Sequence, residues 1–206
     1  MAINRGFFFN ETRERLFQGV LKQQQVTGLT AVLDKWENET AKADDRWLAY
    51  MLATVYHETA RTMQPVRETL ASSDDKAISI LNNAFAKGQL PWVSNPYWRK
   101  DSDGKSWLGR GLVQLTHKTN YAKMSKLTGV DLLAKPERAM EMDVALKILF
   151  EGMRLGSFTS HKLADYFNDS KEDWVNARKI INWLDKAQAI GDYGRKFYGC
   201  ISYTTA

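Results

Sequence analysis

One cysteine, three histidines and four prolines are all that 206 residues contain of these types, and each scarcity bears on the reading. With Cys200 alone, no intramolecular disulfide can form, and folding in a reducing compartment fits. His57, His117 and His161 lack a ligand spacing such as H-x-x-x-H, so no metal site is expected. Glycine-rich phosphate loops and nucleophile elbows are also missing, and no cofactor is expected. No long hydrophobic run occurs. The N-terminal "MAINRGFFFNETRERL" offers only a three-Phe patch, too short for a signal-peptide core or a membrane span. A chain of this kind acting outside the cytoplasm needs some other means of release. Lys and Arg form no run resembling a nucleic-acid arm, and no nucleic-acid partner is expected.

What is present is ordinary for a folded protein: 44% hydrophobic and 26% charged residues, enough to bury a sizeable core. The net charge of +5 and a pI near 9.2 favour anionic partners such as an acidic cell-wall polymer. Helical periodicity dominates. Asn10 is a candidate N-cap for a first helix ending near Gly28, with Leu16, Val20 and Leu21 on one face. Leu29, Val32, Leu33 and Trp36 mark a second. Asp44 or Asp45 can cap a third, through "RWLAYMLATVYHETA", with Leu48, Met51, Leu52 and Val55 as its inner stripe. Residues 62–73 read as loop, and "DDKAISILNNAFAKG" as a helix closed by Gly88. Residues 89–116, with glycines at 104, 109 and 111, read as loop with a short β-hairpin. Helices are expected again at 117–128, 141–155, 160–167, 171–184 and 187–203. The expectation is an all-α, mostly helical single domain over 1–206, split into two lobes by the 62–116 region.

Two glutamates stand ten positions apart in "VYHETARTMQPVRETL". Glu58 follows Met51, Thr54 and Val55 at helical spacings and so ends a buried stripe. A carboxyl group short of water favours its neutral, proton-donating form. Glu68 follows Arg67 among polar residues, as suits an ionised carboxylate. Inverting glycosidases use such a pair, one acid to protonate the leaving oxygen and one base to activate water, about 6.5–9.5 Å apart. A plainer reading stands beside this one: Glu58 paired with Arg61 at a helix end, and Glu68 solvated in a loop.

The stretch "GRGLVQLTHKTNY" (109–121), with "HETA" (57–60), closely resembles family 19 glycoside hydrolases, the plant chitinase type, which include bacteriophage endolysins. The resemblance implies a lysozyme-like, two-lobed fold. It implies Glu58 as general acid, Glu68 as base and Thr116 as the residue that holds the attacking water. It implies substrate contact for Gln114 and Asn120. "INWLDKAQAIGDYGRKFY" (181–198) is similar to a further family segment and implicates Asn182 and Arg195 in binding. The short loop before the second acid and the lack of a cysteine pair resemble the endolysin branch. Trp92, Trp98, Trp107 and Tyr121 offer rings for stacking on sugars; each can equally be core. Thr116 can equally cap the helix at 117.

The resemblance implies an enzyme that hydrolyses β-1,4 bonds of peptidoglycan with inversion and lyses a host cell. A monomer would accumulate in the host bacterial cytoplasm and reach the periplasm and cell wall once a holin opens the membrane, with no stable insertion of its own. Three alternatives stay open: a chitinase acting on N-acetylglucosamine polymers, a lytic transglycosylase, and a basic wall-binding module without activity.

Overall fold

The computed structural model describes residues 2–39 and 43–204. Among these the chain is mostly helical, as the periodicity predicts, with eight α-helices and two sheets of two short strands each. The helices are α1 (Arg5–Leu16), α2 (Gln23–Glu39), α3 (Asp45–Glu58), α4 (Asp74–Ala86), α5 (Lys118–Thr128), α6 (Met142–Leu155), α7 (Lys179–Asn182) and α8 (Ala187–Tyr198). The strands are β1 (Val66–Arg67), β2 (Arg110–Gly111), β3 (Phe167–Asn168) and β4 (Lys171–Glu172). Two compact units result, one of residues 1–64 and 149–206, the other of 65–148.

The first unit is built around α3. Asp44 caps it, its side chain accepting from Arg46 N at 2.9 Å. Every residue from Leu48 to Tyr56 is buried, so α3 is enclosed on all sides where the sequence pattern suggested one inner stripe. It packs on α8 and α2. Tyr50, Phe167 and Trp174 cluster beside it, with ring centroids 4.7–6.4 Å apart, in the tilted and edge-on arrangements aromatic pairs favour. The two ends of the chain pair through Asn4 N to Ser202 O (2.7 Å) and Thr204 N to Ala2 O (3.0 Å).

Three expectations are corrected in this unit. The first helix is capped by Asn4 rather than Asn10, and it stops at Leu16, with Gly19 at φ 83° taking the chain out of helical geometry and leaving Val20 exposed. Gly28 does not end a helix but lies inside α2, where a Cβ would fall 1.8 Å from the Met63 carbonyl oxygen. Residues 160–184 hold no long helices. Asn168 Oδ1 accepts from Ser170 N (3.0 Å) and Oγ (2.9 Å), an Asx-type turn that joins β3 to β4, and only the single turn of α7 follows the 3-10 segment Asn176–Arg178.

In the second unit α4 starts from the Ser73 cap, and Ala77 and Leu81 pack with Ala71, Trp98 and Leu108 in a core flanked by Phe85, Leu90 and Tyr97. The hairpin expected within 89–116 forms otherwise. β2 pairs with β1 at sequence separations of 45 (Val66↔Gly111) and 43 (Arg67↔Arg110), and a tight local turn adds the Arg110↔Leu115 bridge.

Candidate functional site

Glu68 begins the 3-10 segment that follows β1, and its carboxylate is held at both oxygens. Tyr97 Oη donates to Oε1 at 2.7 Å and the Gly109 N–H donates to Oε2 at 2.8 Å. The Glu68 N–H in turn donates to Gly109 O at 2.7 Å. Gly109 suits this approach: a Cβ there would lie 2.8 Å from Gln114 Oε1, whose amide would have to shift, and 3.4 Å from Glu68 Cβ. Burial, then the charge and hydrogen bond of Glu68, push the Tyr97 phenol well above its ordinary value, so it remains a donor. The Tyr97 ring meets His117 at 4.4 Å between centroids.

Beneath this carboxylate, Asp74 bridges two guanidiniums, Arg67 Nε at 2.7 Å and Arg110 Nη2 at 2.6 Å, and so ties the β1–β2 pair to the start of α4. Burial alone would raise the Asp74 pKa; the hydrogen bonds and charges of Arg110 and Arg67 outweigh it and hold it below the usual carboxylate value. Arg110 is buried and also donates through Nη1 to Ser106 O (3.0 Å) and Tyr121 Oη (2.8 Å).

Thr116 follows Leu115, which pairs with Arg110, whose other neighbour is Arg67, next to Glu68. The Thr116 hydroxyl is half-buried and has no hydrogen-bond partner among the described residues; His117, not Thr116, occupies the cap position of α5. Gln114 Nε2 donates to Val66 O at 2.9 Å, locking the turn to β1. The Asn120 side chain is half-buried and without a hydrogen-bond partner among the described residues. Four non-glycine residues here, Thr69, Leu70, Gln114 and His117, adopt positive φ between 52° and 67°. Such backbone costs of order 1–3 kcal/mol per residue and clusters where a fold serves a ligand.

Tyr121 is corrected. It is fully buried, its hydroxyl donating to Leu108 O at 2.8 Å while accepting from Arg110, and burial pushes its pKa up to about 12. It therefore supports the turn from within the core and presents no face to a sugar. Trp98 and Trp107 are likewise core, with Nε1 donating to Asn82 (3.1 Å) and Asp101 (3.0 Å), whereas Trp92 is exposed.

In the first unit, Glu58 is the last residue of α3. Its setting differs from the hydrocarbon that the sequence suggests. Arg178 Nη1 donates to Glu58 Oε1 at 2.6 Å, with the two side chains only 3% and 13% exposed. Arg178 Nε also donates to Asp185 O at 2.9 Å. Arg61, the sequence-level partner for Glu58, makes no ion pair with it. Asn182 ends α7 and is exposed; Arg195 lies on α8, exposed and paired with Asp192 at 3.0 Å. The described contacts join neither of them to Glu58.

Tyr97 and Arg178 are the residues that sequence reasoning misses. Tyr97 lies 29 positions from Glu68, and Arg178 lies 120 from Glu58, so no local spacing reveals either. Among the described residues, no group of three or more His, Cys, Asp or Glu side chains is placed to hold a metal, and no helix is long and apolar enough to cross a membrane. Comparison with protein-family models, with curated proteins and with solved structures finds no match.

Proposed function

We propose that the chain is an endolysin-type glycoside hydrolase that cleaves β-1,4 bonds of bacterial peptidoglycan with inversion. In this reading Glu58 gives a proton to the leaving glycosidic oxygen. Glu68 takes one from the attacking water, and Thr116 positions that water. Gln114, Asn120, Asn182 and Arg195 take the substrate roles that the resemblance implies. The observation that carries the reading is the double clamp on Glu68. One donor on each oxygen fixes the carboxylate while leaving lone pairs for a water, and the segment paired beside it ends in a free hydroxyl. Catalysis by a fixed carboxylate needs this kind of pre-organisation. The net charge of +5 favours anionic peptidoglycan over neutral chitin as substrate.

Release into the wall would follow opening of the host membrane by a holin. The test is mass spectrometry of products from digested peptidoglycan. Hydrated reducing ends are expected; anhydro ends would replace hydrolysis by transglycosylation, and intact glycan would remove the activity altogether.

A further inference from the structure

Arg61, freed from Glu58, has a different setting. Its φ is 69°, and Ala60 and Met63 on either side of it also have positive φ. The backbone is fixed there: the Arg61 N–H donates to Tyr56 O at 2.8 Å and its carbonyl accepts from Gln25 Nε2 at 2.9 Å. The guanidinium lies over the Tyr56 ring, 5.5 Å from its centroid, and no carboxylate among the described residues pairs with it. Three adjoining surface hollows of about 190–230 Å³ share this side chain. The largest is lined also by Arg15, Gln18, Tyr193 and Lys196, against one acidic residue, Glu14; Arg15 is already paired with Glu11 at 2.6 Å, which leaves Arg61 and Lys196 as its unpaired cations among the described residues. Lys196 and the Tyr193 hydroxyl have no side-chain hydrogen-bond partner among the described residues, so unspent donors line one hollow. A second hollow has apolar walls from Leu16, Phe17 and Val20.

We infer that this region of the first unit is a binding site for an oxyanion carried on a short, partly aliphatic chain, and that its ligand is a carboxylate of the acidic stem peptides of peptidoglycan. The cations and the tyrosine hydroxyl match an oxyanion. The apolar hollow takes an alanine methyl, which a bare phosphate lacks. A strained backbone that aims an arginine with no carboxylate partner among the described residues is explained by an anion from outside. The choice of stem peptide as the source rests on the peptidoglycan reading above; the oxyanion chemistry does not.

The experiment is calorimetric titration of the wild-type chain, the exposed-site variant Lys196→Gln and the variant Arg61→Gln, each checked for folding by circular dichroism. The probes are the free peptide L-Ala–γ-D-Glu–diaminopimelate and inorganic phosphate. Expected are binding of the peptide, weaker binding of phosphate, and about a tenfold loss of peptide affinity in each variant, the scale of one charge-assisted hydrogen bond. No peptide binding, or equal affinity in wild type and both folded variants, overturns the site. Phosphate bound as tightly as the peptide overturns the stem-peptide assignment. The peptide has no glycosidic bond, so this result is separate from cleavage. Peptide binding without sugar release from peptidoglycan would sink the glycosidase reading and keep the site; release without peptide binding would do the reverse.

Discussion

Glu58 and Arg178 are nearly buried together, and removal of one leaves the other charged and dry. Breaking such a pair from one side costs about 3–5 kcal/mol. Glu58→Ala should therefore lower the urea midpoint as well as any activity, and the double variant Glu58→Met/Arg178→Met should recover much of the lost stability. A double-mutant cycle in urea measures this, and additive losses would show that the pair is not coupled. Loss of activity in Glu58→Gln thus speaks to chemistry only when folding is measured beside it. At Glu68, the Tyr97 hydroxyl is one of two donors. Tyr97→Phe keeps the ring against His117 and removes one hydrogen bond, worth about 1–3 kcal/mol when one partner is charged. On the proposed chemistry kcat should fall about tenfold with KM little changed, because positioning rather than binding is lost. Equal kcat in the variant would separate Tyr97 from the reaction.

Among the elements, the contact of α2 with the 59–64 segment depends on the missing side chain of Gly28. A methyl group at 1.8 Å from the Met63 carbonyl oxygen cannot be accommodated without moving backbone. Gly28→Ala should destabilise by at least about 1–3 kcal/mol, despite alanine's better helix propensity; a raised Tm would refute this contact. The β1–β2 pair depends on Asp74 in a pH-sensitive way. Its folded-state pKa is depressed below the ordinary aspartate value by the two arginines, so its contribution is present above that ordinary value and is lost as pH falls through the folded pKa. Asp74→Asn should be less stable than wild type at pH 7 by several kcal/mol, since Arg110 is left buried without its counter-charge. The gap should narrow as acid protonates the wild-type carboxylate, which urea melts at neutral and strongly acid pH would record.

These cases also show how much the sequence discloses. Elements that carry their own signals are legible: the aspartate cap at 44 or 45 and apolar density of α3, and the helix from Asp74 closed by Gly88 that forms α4. Elements defined by distant partners are not. Residues 171–184 have helical spacing, yet the Asn168 turn and the β3–β4 pair take the start of that span. Likewise "GRGLVQLTH" announces a special turn, but its pairing with Val66 and Arg67, and the role of Tyr97 in it, depend on contacts across tens of residues.

At the scale of the whole molecule, 29 basic against 24 acidic side chains make attraction to an anionic polymer a property of the surface field. Sedimentation with insoluble peptidoglycan should show retention that weakens as salt is raised, because screening shortens the reach of exposed charges. Retention unchanged by salt would mean that contacts other than charge hold the chain to the wall. One further consequence belongs to Arg178, whose guanidinium grips both Glu58 and the Asp185 carbonyl. The intervening turn carries Trp183, exposed and at φ 41°. A disturbance of the carboxylate at the end of α3 is therefore expected to reach that turn and the surroundings of its exposed indole, one of seven in the chain.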